Sequence, residues 1–124
     1  FPPVSLRPDV LREVLRIVLS NAAESMEGKG TITLETHTLS RLFQIRIRDH
    51  GLGLSEADLK MLFNPGYTTK LAGSGFGLFL ARKLLQSAGG NMVAEPSECG
   101  GASFLITLRV GSEIGREASA NPGR

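Results

Sequence analysis

From Arg41 to Asp49 the chain alternates without a break: Phe43, Ile45 and Ile47 take one parity, and Gln44, Arg46 and Arg48 the other. A period of two marks a strand with one face buried. The run ends on Asp49, which shares the parity of the apolar residues and is therefore expected on the buried side. A carboxylate sent there is costly unless it is hydrogen-bonded. Upstream, Thr31 to His37 also alternates, with Ile32 and Leu34 on one face. The short Leu39-Ser40 turn lets the two runs pair as a hairpin.

Helical spacing dominates elsewhere. Leu11, Val14, Leu15, Val18, Ala22 and Met26 fall on one face of a predicted helix, with Asp9 as its expected cap and Gly28-Lys29-Gly30 as its end. Ser55 and Asp58 fit a capping box for a short helix to Leu62. Gly77 to Ala88 predicts a third helix, with Leu80, Leu84 and Ala88 on its apolar face and Gly89-Gly90 as terminator. Met92–Ala94 and Ser103–Leu108 read as two further strands. The order implies an α+β domain over 9–110, one sheet with helices packed on one face. The three prolines of residues 1–8 suggest an extended lead-in from an upstream domain. Residues 63–75 read as loop, and the small, polar tail 111–124 is expected to be disordered.

Composition narrows the class. A chain of 124 residues is one domain's worth, and 41% apolar with 21% charged residues suits a folded globular domain rather than a disordered one. The net charge is +2 and the basic residues are scattered, so no nucleic-acid face is expected. No apolar run approaches the ~20 residues of a membrane helix, and no signal peptide is visible. The expected compartment is the cytoplasm, with any membrane anchor left to a longer protein of which a chain opening at Phe1 is expected to be a fragment. The single cysteine, Cys99, excludes an internal disulfide and a cysteine-based zinc site.

Chemistry concentrates where the glycines do: six of the 15 lie between positions 51 and 77. Asp49-His50-Gly51-Leu52-Gly53 has two readings. Asp49 caps a glycine-rich turn, or it accepts an exocyclic amine of a purine lying on a glycine floor. Gly73-Ser74-Gly75-Phe76-Gly77 opens a predicted helix, where backbone N–H groups and the helix dipole suit phosphate. A flexible loop is the alternative, and neither the dinucleotide nor the P-loop spacing occurs. Thr68, Thr69 and Lys70 add two hydroxyls and a cation just upstream, Lys70 being either a phosphate contact or a solvated loop lysine. Asn21, on or near the buried face of the first helix, is either a packing amide or an oxygen ligand for Mg²⁺ held against phosphates.

Taken in order, these stretches resemble the ATP-binding catalytic domain of sensor histidine kinases in the GHKL (Bergerat-fold) ATPase superfamily. Residues 11–26, with Ser20-Asn21-Ala22-Ala23-Glu24-Ser25-Met26, look like the N box. Asp49 to Leu54 looks like the G1 box, Leu62 to Lys70 like the F box and lid start, and Gly73 to Leu78 like the G2 box. Gly101 to Leu108 looks like the final strand. The resemblance implies a two-layer α/β sandwich, a mixed but mostly antiparallel sheet with about three helices on one face. It implies that Asp49 accepts the adenine amino group, that Gly51 and Gly53 line the adenine edge, and that Asn21 holds Mg²⁺. It further implies that Gly73, Gly75 and Gly77 let the lid close over the phosphates and present N–H groups to them, that Lys70 contacts phosphate, and that Thr68, Thr69, Ser74, Phe76 and Leu78 belong to the nucleotide-binding set, with Phe63 anchoring the lid's start. Asn21 and Lys70 are the expected catalytic residues, and ATP and Mg²⁺ the expected ligands.

Departures qualify the match. Ile17 stands where the family carries a second Asn, or the Glu that activates water in hydrolytic relatives. Gly66 replaces an aromatic, Ala102 a threonine near adenine (so that Ser103 or water must substitute, or affinity falls), and Arg109 a proline. The resemblance implies transfer of the ATP γ-phosphate to a histidine, a neutral nucleophile near its ordinary pKa of ~6.5 that needs little base assistance. His37 and His50 fit neither the acceptor's place nor its motif. The expected partners are therefore a histidine-bearing dimerisation domain and a response-regulator receiver domain, with the fragment monomeric and the full-length protein a homodimer. A nucleotide-binding regulatory or interaction module with little catalysis, or an anti-sigma-type protein serine kinase, is the alternative.

Overall fold

A computed structural model of the chain describes residues 4–51, 55–66, 77–96 and 101–110. In chain order the elements are α1 (Pro8–Ser25), β1 (Thr33–Leu39), β2 (Leu42–Arg48), α2 (Glu56–Met61), α3 (Gly77–Ser87), β3 (Asn91–Pro96) and β4 (Ala102–Arg109). The described strands form one sheet in the order β1-β2-β4-β3, and every pairing in it is antiparallel. The three described helices and an open sheet make the expected α+β sandwich, with the described strands all antiparallel rather than mixed.

The strict alternation of β2 sets the layers. Phe43, Ile45 and Ile47 are buried together with Phe104, Ile106 and Leu108 of β4, Met92 of β3, Val14 and Val18 of α1, and Leu78, Ala81 and Leu85 of α3. Ile45 pairs with Ile106 and Ile106 with Met92, so one row of apolar side chains crosses three strands beneath the helices. The opposite face is open. There Arg46 pairs with Glu95 at 2.7 Å and Arg48 with Glu35 at 3.1 Å, across strands. The Val4–Val110 bridge ties the lead-in to the end of β4.

Several elements differ in detail from the expectation. The α1 cap is Arg7 rather than Asp9: Pro8 occupies the first helical position, where its missing N–H leaves nothing unsatisfied and its φ is already helical. Asp9 lies in the first turn, where a carboxylate suits the dipole. The helix ends one residue early, at Ser25; Glu27 takes φ 56° and Gly28 φ 80°, and the Gly28 N–H donates to Ala23 O at 2.9 Å. In α3 the buried residues are Leu78, Ala81 and Leu85; Leu84 and Ala88 of the expected stripe pack partly against the core, while Leu80 is 47% exposed. Leu34 on β1 is 45% exposed, because β1 is a sheet edge beyond the helical layer. The Ser55–Asp58 capping box forms as expected, Asp58 N–H to Ser55 Oγ at 3.0 Å and Ser55 N–H to Asp58 Oδ2 at 3.3 Å.

Candidate functional site

The site grows from the end of β2. Asp49 continues the core parity beyond the last strand residue and is only 2% exposed. Its Oδ1 accepts the Gly51 N–H at 2.9 Å and the Ala102 N–H at 3.2 Å. Its backbone N–H donates to Ala102 O at 2.9 Å, which extends the β2–β4 ladder by one step. Two N–H donors compensate the burial of that oxygen. Oδ2 has no hydrogen bond among the described residues and is not fully enclosed. Thus Asp49 does cap the glycine-rich turn, but with one oxygen; the other remains available as an acceptor.

Two glycines make this possible. A Cβ on Gly51 would overlap the Ser25 hydroxyl and sit 2.5 Å from the Ser25 carbonyl oxygen, so only glycine lets the turn lie against the end of α1. Gly101 has φ 77°, and a Cβ there would strike the Asp49 carbonyl oxygen and come 2.6 Å from Oδ1. Gly101 and Ser25 were not among the residues singled out from sequence. Both lie in stretches that carry the resemblance, Gly101 at the head of the final strand and Ser25 near the end of the N-box-like run, but neither has a role legible there.

Helix α1 forms the long wall. Ile17, Asn21 and Ser25 recur every four residues and so share one face. At one end Ile17 packs on the start of α3, where a Cβ on Gly77 would lie 3.3 Å from Ile17 Cγ2. At the other, Ser25 meets Gly51. Asn21 stands between them, half-buried, its amide without a hydrogen bond among the described residues. The fold thus brings Asn21, Asp49, Gly51 and Gly77 around one helix face. Gly77 and Leu78 open α3 as expected, but the Leu78 side chain is buried in the core, which leaves its backbone N–H as the group it can present. Gly53, Thr68, Thr69, Lys70, Gly73, Ser74, Gly75 and Phe76 lie outside the described residues.

Other details bear on the expected departures. Ser103 does not stand in for the missing threonine: it faces the opposite side of the sheet, with Arg46 donating to its Oγ at 3.3 Å. Alternation along β4 requires this, since Ala102 and Phe104 face the helices. Ala102 serves Asp49 through its backbone instead. Phe63 packs partly into the core, with the Arg82 guanidinium 4.6 Å from its ring centroid. Arg16 donates to Glu13 on the solvent side of α1, which holds that carboxyl below the usual carboxylate range; this pair lies away from the site. A shallow hollow of about 400 Å³ on the open sheet face is lined by Glu35, His37, Gln44, Arg46 and Leu105, and His37 is exposed there, remote from the Asp49 side. Among the described residues no cluster of three His, Cys, Asp or Glu could hold a metal. The half-buried Asn21 amide offers an oxygen of the kind that suits Mg²⁺ alongside phosphate oxygens and water. No described helix is long and apolar enough to cross a membrane.

The buried carboxylate, the glycine turn and the amide-bearing helix wall suit a purine nucleotide, and comparison with known proteins agrees. Residues 7–112 match the family described as histidine kinase-, DNA gyrase B- and HSP90-like ATPase, and the chain belongs to that family. Within it the similarity runs to histidine kinases. The chain is 36% identical over 111 residues to sporulation kinase E of Bacillus subtilis, which covers 89% of this chain and 15% of that protein. It is 30% identical over 109 residues to the signal transduction histidine-protein kinase AtoS of Escherichia coli, covering 87% of this chain and 18% of that protein. The chain thus spans less than a fifth of either relative. Among solved structures, the catalytic domain of histidine kinase ThkA superposes with TM-score 0.76 at 24% identity, covering 85% of this chain and 70% of that one. The mycobacterial sensor histidine kinase MprB gives 0.74 at 21%, covering 82% and 70%. At such identities the likeness speaks to the fold.

Proposed function

We propose that this domain binds Mg·ATP between α1 and the Asp49–Gly51 turn and directs the γ-phosphate to a histidine on a separate dimerisation domain. The observation that carries the reading is the split role of Asp49, one oxygen tied to backbone and the other without a hydrogen bond among the described residues, beside a glycine turn. An exocyclic amine of adenine meets that second oxygen as a donor; the carbonyl of guanine would meet it as a repelling acceptor. Asn21 holds the metal that neutralises phosphate charge, and the start of α3 presents N–H groups to the phosphates. Positioning and charge neutralisation supply most of the catalysis in phosphoryl transfer. Ile17 fits this economy. It is apolar and packed against Gly77, at the place where a hydrolytic relative would need a base. A neutral imidazole acceptor requires no such base.

The kinase reading makes the domain one part of a longer protein, with a response-regulator receiver domain as the next acceptor. Its test is phosphoryl transfer. The chain is incubated with labelled Mg·ATP, alone and with the dimerisation domain of its own full-length protein. Acid-labile label on that domain, and none on the chain alone, is the expected result. Acid-stable label would favour a serine kinase, and nucleotide binding without transfer would favour a regulatory module; either outcome overturns the proposal.

A further inference from the structure

Strand β1 is an unguarded edge. It pairs with β2 along all seven of its residues and has no neighbour on its other side among the described residues. It lies beyond the helical layer, so Leu34 is 45% exposed. An open edge is a template for another strand, and folds blunt it with Lys, Pro, a bulge or a covering element. Strand β1 carries neither Lys nor Pro in Thr-Leu-Glu-Thr-His-Thr-Leu, and its register with β2 runs without a bulge. The opposite edge, β3, is shorter, ends on Pro96 and has α3 packed against it.

The order of residues in β1 fits a second β1. Antiparallel pairing of two identical strands puts a two-fold axis on the central residue, here Thr36, and only that register pairs all seven residues. It sets Thr33 opposite Leu39, Leu34 opposite Thr38 and Glu35 opposite His37, each twice. Glu35 and His37 share the open face of the sheet and are exposed. Directly opposed side chains on neighbouring strands have Cβ atoms about 4.5–5.5 Å apart, within reach of a bond from imidazole N–H to carboxylate. Arg48 donates to Glu35 from the β2 side at 3.1 Å, and a carboxylate can accept from both sides. We propose that β1 is a self-complementary edge through which two copies of this chain join their four-stranded sheets into one, with Glu35 of each copy facing His37 of the other. A seven-residue edge is about 24 Å long and makes a small interface, so free chains pair weakly, with Kd of about 0.1–1 mM. The chain expected to be monomeric thus associates at high concentration. In the homodimer expected of the full-length protein, two copies share one molecule at effective concentrations on the order of 1 mM, which populate such a contact.

Sedimentation equilibrium of the free chain from about 10 μM to about 1 mM spans that range. The mass should rise from one chain's 13.3 kDa toward twice that value, with amide exchange over 33–39 slowed at the higher concentration. His37→Glu sets Glu35 against a second carboxylate at both contacts and should weaken association by at least about 10-fold. The exchanged pair E35H/H37E restores opposite partners in the same register and should regain wild-type association within about threefold. These positions are exposed, so the fold should hold. Thr36→Lys, also at an exposed position, sets two lysines face to face on the axis and should dissociate the pair independently. A wild-type chain that stays monomeric at about 1 mM would overturn the inference. So would association that H37E and T36K leave intact, association that E35H/H37E fails to restore, or slowed exchange confined to a surface outside 33–39.

Discussion

Replacing Gly101 by alanine should destabilise the domain far more than its small size suggests. The residue sits at φ 77°, and the added methyl would strike the Asp49 carbonyl oxygen and lie 2.6 Å from Oδ1. Holding a non-glycine residue in the left-handed region costs about 1–2 kcal/mol. Relieving the clash moves Ala102 away from Asp49 and loses the 3.2 Å N–H bond to a buried carboxylate, worth about 1.5–3 kcal/mol. Together these come to about 2.5–5 kcal/mol, a large share of a typical domain's stability. At about 1.5 kcal/mol per M for a small domain, the urea midpoint should fall by about 2–3 M. Gly28→Ala separates the two contributions: Gly28 has φ 80°, but a Cβ there would meet nothing within 4 Å. It should cost only the conformational part, about 1–2 kcal/mol. The measurement is equilibrium urea unfolding of wild type and both variants, followed by tryptophan-independent far-UV circular dichroism, since the chain has no Trp. Equal losses for G101A and G28A would refute the argument that Gly101 is there to make room for Asp49.

Two other substitutions probe separate parts of the account. Asn21→Ala should leave folding stability unchanged or slightly raised, since its amide makes no hydrogen bond among the described residues, while abolishing the increment in ADP affinity that Mg²⁺ confers; titration with and without the metal measures it. Ser55→Ala removes the capping box of α2 and should cost about 0.5–2 kcal/mol, seen as faster amide exchange over 56–61.

Much of this was legible in the sequence because local periodicity and burial agree. The β2 alternation placed Phe43, Ile45 and Ile47 in the core and carried Asp49 in with them, and the Ser55–Asp58 box needed only local spacing. Where several elements compete, periodicity alone misleads. Helix α3 has leucines on more than one side, and its packing buries Leu78, Ala81 and Leu85 fully, Leu84 and Ala88 of the expected stripe in part, and leaves Leu80 exposed. Leu34 has the right parity in the wrong place, on an edge strand. The site divides the same way. Asp49 and Gly51 announce themselves as a motif, whereas Ser25 and Gly101 matter only because chain segments distant in sequence meet around them.

Binding of ADP and GDP to the wild-type chain and to Asp49→Asn, by titration calorimetry, tests the central claim most directly. Asparagine keeps an acceptor for Gly51 and Ala102 and so should preserve the fold, but its amide turns the second oxygen into a donor. The account predicts that wild type binds ADP in preference to GDP, and that D49N, still folded, binds ADP at least about 30-fold more weakly, the scale of a buried charge-assisted hydrogen bond replaced by a donor–donor clash. A folded D49N that binds ADP as tightly as wild type, or a wild-type chain that does not distinguish ADP from GDP, would contradict it.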